Sequence, residues 1–230
     1  MNPGGTTNLQ PYRKQDMITV VGNLKGGCGK STISFNLAVW LATAGIDVVA
    51  FDLDPQATLS DVAEVRAEEE ILPEIKVFRP ESNPTKMMKN HNGEMIIDVG
   101  AANLWAMRQA IAMADRVLVP IPPSQADVWS TARFKDIVEE TVATKEKQPE
   151  IVMFVNRADT HPGVRESAET LEALHTLKGI RVLNNRIHQR TAYRRSFSEG
   201  RAVFEQSGSS KASIEFLELA KQLYPDVDFK

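Results

Sequence analysis

The sequence predicts one doubly wound α/β domain, a mostly parallel sheet with helices on both faces, and three observations carry that prediction. Apolar runs of strand length alternate with longer amphipathic segments along the whole chain. Several of those runs are continuously apolar, as strands are when helices cover both faces of a parallel sheet. A glycine-rich segment, Lys25-Gly26-Gly27-Cys28-Gly29-Lys30-Ser31-Thr32, stands between the first strand-like run and the first helix-like one. An open sheet of this class places its ligand there, at the C-terminal ends of the strands.

Residues 1–16 are polar and read as a flexible tail ahead of a single domain over 17–230. The run 17–21, Met-Ile-Thr-Val-Val, is rich in β-branched residues and reads as a strand. A helix follows over 31–44, then a strand over 47–52 that closes on Asp52, and a helix over 58–70. The alternation continues with a strand at 75–78, a short helix at 84–90, a strand at 95–98 and a helix at 104–113. The strand 116–121 runs into Pro120, Pro122 and Pro123, whose fixed φ angles end it and stiffen the loop. Beyond it come a helix at 126–146, a strand at 151–156, a helix at 163–177, a short strand at 181–183, and helices at 191–199 and 209–223. No repeat, low-complexity linker or composition break marks a second domain.

Composition narrows the classes of function. With 230 residues, 42% hydrophobic and 25% charged, the chain can bury a substantial core without disulfides or metals. Cys28 is the sole cysteine, which excludes a disulfide framework, suits a reducing cytoplasm, and cannot supply the thiolates of an iron–sulfur cluster. No apolar run reaches the ~20 residues of a membrane span, and no secretory signal is visible. His91, His161, His175 and His188 lack metal-ligand spacing and are assigned no chemistry.

The segment opening at Gly22 reads as a phosphate-binding loop of the pattern G-x-x-x-x-G-K-[ST], with Gly22, Gly29, Lys30 and Ser31 at its fixed positions. Gly26, Gly27 and Gly29 let the backbone turn its N–H groups toward phosphate oxygens, and the following helix N-terminus favours the anion. Nucleotide binding is therefore assigned to Gly26, Gly27, Cys28, Gly29, Lys30, Ser31 and Thr32, with Cys28 as filler. Lys30 is expected to reach the β- and γ-phosphates, and Ser31 to give its hydroxyl to Mg²⁺. Carboxylates at strand ends serve the metal and the attacking water in such chemistry. Two strands end that way: Phe51-Asp52-Leu53-Asp54-Pro55-Gln56 and Ile97-Asp98-Val99-Gly100-Ala101.

Lys25 adds a second lysine at the front of the loop. The pattern K-G-G-x-x-K-[ST], followed by D-x-D-P-Q, resembles the ParA/MinD family of deviant Walker-A ATPases over most of the chain, from 17 to about 223. That resemblance implies that Lys25 reaches across a homodimer to the partner's ATP, so that hydrolysis is coupled to dimerisation. By the same resemblance Asp54 orients the attacking water, while Asp52 and Asp98 support Mg²⁺. Many relatives continue D-x-P-P after the last aspartate, whereas this chain reads Asp98-Val-Gly-Ala, nearer to small plasmid-partition members. Asn156 resembles a position near the base, and Pro120–Pro123 are expected to wall the ring. The run Asn156-Arg157-Ala158-Asp159 narrowly misses the guanine signature N-K-x-D, so adenine is the expected base.

The net charge is −3, yet Arg181, Arg186, Arg190, Arg194, Arg195 and Arg201 crowd one region opposed only by Glu199. Arginines in such numbers suit phosphate-backbone contacts, and on a helix Arg190 and Arg194 share a face at i,i+4. The family resemblance adds Lys211 and implies non-specific DNA binding by the ATP dimer. The DNA-binding candidates are thus Arg181, Arg186, Arg190, Arg194, Arg195 and Lys211. The last helix, with Ile214, Leu217 and Leu223 near one face, reads as a packing helix followed by an acidic end, which argues against an anionic membrane surface. Trp129 is read as more suited to core than to a partner surface. The expectation is a small ParA-type plasmid partition ATPase without an N-terminal DNA-reading domain, cytoplasmic and nucleoid-associated. Its partners are itself, double-stranded DNA and a ParB-like centromere-binding or adaptor protein. The rival readings are a positioning ATPase for a protein assembly, a MinD-like membrane ATPase and a small-molecule kinase or ligase.

Overall fold

The computed structural model describes residues 17–79, 93–161 and 163–229. The expected tail over 1–16, the short helix at 84–90 and His91 lie outside the described residues. Seven strands form one sheet: β1 (Ile18–Val21), β2 (Val48–Asp52), β3 (Lys76–Phe78), β4 (Glu94–Asp98), β5 (Arg116–Ile121), β6 (Glu150–Ala158) and β7 (Arg181–His188). They lie in the order β3-β2-β4-β1-β5-β6-β7, and every pairing is parallel. The chain winds outward from β1 to one edge, returns through β4, and then builds the other half. The central strand β1, between β4 and β5, is where the winding changes direction and the loop after it opens.

Eight helices are described: α1 (Lys30–Thr43), α2 (Thr58–Glu68), α3 (Leu104–Ile111), α4 (Gln125–Val142), α5 (Glu166–His175), α6 (Thr191–Ser198), α7 (Val203–Gln206) and α8 (Lys211–Leu223). They divide between the two faces of the sheet. Alternate residues of the continuously apolar strands enter opposite cores, with Val48 and Ala50 on one side and Val49 and Phe51 on the other. One core holds Phe35, Trp40, Phe216 and Leu219 from α1 and α8, and the other holds Met107, Phe134 and Val138 from α3 and α4. Side-chain caps start three of these helices: Asn103 accepts from Ala106 N, Ser124 from Asp127 N and Ser210 from Ser213 N.

Apart from shifts at helix ends, the structure departs from the sequence reading at four places. β7 runs on to His188, through the polar pair Asn184-Asn185, because an edge strand needs no continuous apolar run. Pro120 lies inside β5 rather than ending it: β1 pairs with β5 only as far as Leu118, so no ladder partner on that side needs the missing N–H. The four-residue helix α7 is too short for a periodic signal. In α8 the buried face is Phe216, Leu219 and Leu223, while Ile214 is turned outward.

α2 is fixed at both ends. At its start Asp52 accepts from Ser60 N at 2.8 Å and Ser60 Oγ at 3.0 Å. At its end the buried Arg66 guanidinium makes a bidentate pair with Glu205, 2.8 Å to each oxygen, and also donates to Pro73 O and Gly200 O. Gly200, in the turn between α6 and α7, has φ 65°, and a Cβ there would stand 2.6 Å from Arg66 N. Only glycine allows that approach.

Candidate functional site

The loop between β1 and α1 is held from three directions. Buried Asn23 donates to Pro120 O at 2.9 Å and accepts from Lys25 N, fixing the base of the loop to β5. Asn156, at the end of β6, donates to Cys28 O at 2.7 Å, and the next residue, Arg157, donates to Gly27 O. Gly29, the N-cap of α1 at φ 91°, presses on Asn156 so closely that a Cβ would lie 2.5 Å from its Nδ2. The leading position of the phosphate-loop pattern, counted back from Gly29, is Leu24 and not Gly22. Gly22 instead closes β1 against Phe134, whose ring would stand 2.9 Å from an added Cβ.

Gly26, Gly27, Gly29, Lys30, Ser31 and Thr32 line a cavity of about 510 Å³, together with Asp54 and Asn156. Cys28 is buried beneath the loop, its thiol donating to Lys25 O, and burial pushes its pKa up. A thiol held that way is packing rather than nucleophile. Lys30 is 6% exposed and donates to Lys25 O at 3.3 Å. Lys25 points elsewhere: its ammonium lies 3.7 Å from Asp127 Oδ1 of α4, with the lysine side chain 45% exposed. One lysine therefore serves its own loop, and the other is directed outward.

The three candidate carboxylates have different environments. Asp52 is occupied by Ser60 and by Asp54 N. Asp54 lines the cavity, and its carboxyl lies so near Gly100 that a Cβ there would stand 2.7 Å away. Asp98 is fully buried, with Oδ1 accepting from Ser34 Oγ at 3.3 Å and Oδ2 without a hydrogen bond among the described residues. Burial raises its pKa to about 7, with the Asp52 charge adding to the rise and the Ser31 hydroxyl and Lys30 ammonium opposing it. An orphaned buried carboxylate oxygen beside Ser31 fits a divalent cation. Among the described residues no three His, Cys, Asp or Glu side chains converge into a metal cage. That donor set suits Mg²⁺, which is typically shared between one or two protein oxygens and substrate phosphates.

The opposite cavity wall comes from β7 and α6. Ile187, His188, Arg190, Tyr193 and Arg194 face the loop there, so the six basic candidates do not form one patch. Arg190 is the extended N-cap of α6, not a residue within it, and its guanidinium is bound by Glu215 of α8. That contact raises its pKa. His188 Nδ1 lies 2.9 Å from the same carboxylate, and this histidine also lines the cavity. Arg181 sits at the opposite end of β7, donating to Glu150 and to Gln222 O. Arg186 is half-buried in β7, while Arg195 and Lys211 are exposed. Pro122 and Pro123 line a neighbouring polar cavity and not this one, with Arg157 on the boundary between the two.

Sequence reasoning missed Asn23, Asp127 and the loop-holding part of Arg157. Each acts through one hydrogen bond or ion pair to a residue distant in sequence, which no local pattern displays. Trp129 is 62% exposed and Trp105 is 66% exposed, so Trp129 is not core. No helix among the described residues is long and apolar enough to cross a membrane.

Residues 19–203 match the CobQ/CobB/MinD/ParA nucleotide binding domain family. The chain is 26% identical over 199 residues to the maintenance of carboxysome distribution protein A of Halothiobacillus neapolitanus, covering 85% of this chain and 90% of that one. It is 28% identical over 206 residues to the protein ParA of Rhizobium radiobacter, covering 86% and 91%. The structure of apo McdA from Cyanothece superposes with a TM-score of 0.72 at 18% identity, covering 89% of this chain and 97% of that one. The match over residues 19–203 shows that this chain belongs to the CobQ/CobB/MinD/ParA nucleotide-binding family, among the ParA/MinD ATPases.

Proposed function

We propose that the chain is a ParA-type positioning ATPase that binds ATP with Mg²⁺, dimerises, and holds duplex DNA without sequence preference in its ATP state. A ParB-like partner on the cargo, most simply a plasmid, stimulates hydrolysis and releases the protein from nucleoid DNA in the cytoplasm. The observation that carries this reading is the division of labour between two lysines on one loop. Lys30 is buried in its own cradle, whereas the Lys25 side chain is half-exposed and, among the described residues, paired with Asp127. A residue so placed is available to a second copy of the chain.

The roles follow from position. Lys30 and the loop N–H groups bind the phosphates, and Asn156 braces the loop beside them. Ser31 and Asp98 would hold Mg²⁺, which supplies charge neutralisation on the phosphates when bound. Asp54, on the cavity wall, orients the attacking water, and Asp52 keeps the Asp54 segment in register through Ser60. Arg195 and Lys211, both exposed, are the leading candidates for DNA phosphates; Arg186 is half-buried, Arg181 and Arg190 are paired with Glu150 and Glu215, and Arg194, though exposed, lines the cavity. A second reading, positioning of a protein assembly, draws on the similarity to the carboxysome distribution protein.

The test is binding to random-sequence duplex DNA with ATP and with ADP across a salt series. Tight binding with ATP alone, weakening steeply with salt, is the expected result. Equal binding in both states, or none, would overturn the DNA-coupled switch. Co-sedimentation with anionic vesicles instead would favour a membrane surface.

A further inference from the structure

We infer that Arg157 is a positioning residue of the phosphate loop, holding one loop carbonyl so that the adjoining N–H faces the nucleotide's phosphates. This deepens the nucleotide-binding reading above and rests on it.

Arg157 has φ 60°, a left-handed conformation uncommon for a residue with a long side chain. The β6–β7 ladder is irregular at that point: Asn156 pairs with Ile187 and Ala158 with His188, with the register shifting between them. An extra residue in one strand re-aims its side chain, and here the guanidinium is brought onto Gly27 O. Its neighbour Asn156 takes the next carbonyl, Cys28 O, at 2.7 Å. Two successive residues of β6 thus hold two successive carbonyls of the loop.

The consequence follows from peptide geometry. A trans peptide unit is planar, with its C=O and N–H pointing in opposite directions. Fixing the carbonyls of Gly27 and Cys28 therefore fixes the N–H directions of Cys28 and Gly29. Gly27 and Gly29 have φ angles of 70° and 91°, so the loop has little intrinsic preference for this conformation and needs outside restraint. A solvated surface arginine would need neither a left-handed backbone nor a ladder irregularity. Both are explained when the side chain is required on the loop.

The experiment is calorimetric titration of the full chain with ADP and with ATP. It compares wild type, Arg157→Gly (which accepts the left-handed backbone and removes the guanidinium), Arg157→Asn and Arg157→Lys. The Gly and Asn variants should bind both nucleotides about tenfold more weakly, with the Lys variant between them and wild type. The backbone amide resonances of Cys28 and Gly29 should shift in ligand-free Arg157→Gly while its melting temperature is maintained. A merely structural role would not produce that combination. Should Arg157→Gly be poorly folded, the Asn and Lys variants decide by the same readouts. Affinities within about twofold of wild type, or unmoved Cys28 and Gly29 resonances, would overturn the inference while leaving nucleotide binding intact. Absence of ADP and ATP binding by the wild-type protein would overturn the nucleotide reading and this inference together.

Discussion

The carboxyl group of Asp54 lies against the backbone of Gly100, so close that a Cβ on residue 100 would stand 2.7 Å from both Cγ and Oδ1. Gly100 has no positive φ, so alanine is compatible with its backbone, and the three atoms nearest an added Cβ all belong to the Asp54 carboxyl. Gly100→Ala should therefore act as a mutation of Asp54 at a distance. Single-turnover ATP hydrolysis should fall at least about tenfold, and adding Gly100→Ala to Asp54→Ala should cost little more. Additive losses would separate the two residues.

Among the described residues the Lys25 side chain has one ion pair, to the largely buried Asp127, and is itself 45% exposed. Lys25→Ala should abolish ATP-driven dimerisation in sedimentation velocity and, with it, hydrolysis. A variant that still dimerised on ATP would remove Lys25 from the interface.

Asp98 has a folded pKa near 7 against an unfolded value of about 4. Between those values the folded chain holds more protons than the unfolded one, so stability falls as pH rises through that window and levels off above it. The total is on the order of a few kcal/mol. Urea denaturation of ligand-free protein from pH 5 to 8 should show the decline, and Asp98→Asn should flatten it. An unchanged slope in that variant would assign the titration to another group.

Arg66 and Glu205 form a buried pair in which the arginine is 1% exposed. Glu205→Gln leaves that charge without a counter-ion and should cost about 3 kcal/mol, or roughly 10 °C in melting temperature. Replacing both residues with apolar ones of similar size should recover part of the loss.

For the basic surface, Arg195→Ala and Lys211→Ala should each reduce the salt slope of DNA binding by about one. Arg190→Ala should instead lower the melting temperature, because it strips Glu215 of its arginine partner. A lowered slope with unchanged stability for Arg190→Ala would place it on the DNA instead.

The sheet and its ligand end were legible because β1, β2, β4, β5 and β6 are continuous apolar runs and the loop residues are contiguous in sequence. The distinction between Lys25 and Lys30 was legible for the same reason, since both lie within six residues. What escaped were contacts between residues far apart: Asn23 with Pro120, Asn156 with Cys28, Arg66 with Glu205. The helix start at Thr191 was legible, but the i,i+4 spacing of Arg190 and Arg194 could not show that Arg190, just ahead of it, is held by Glu215. The Gly100 departure from the family pattern was visible, but its reason was not, because it depends on the carboxyl of Asp54 46 positions earlier.

α2 starts on the carboxylate of Asp52, two residues from Asp54, and finishes on Glu205 beneath the turn after α6. A rod pinned at each end cannot bend around a disturbance at one of them. If the Asp52–Asp54 segment moves along the helix axis, the shift must emerge at Gly200, where backbone touches backbone and no side chain is present to cushion it. The arginine-bearing helix α6 lies immediately before that turn.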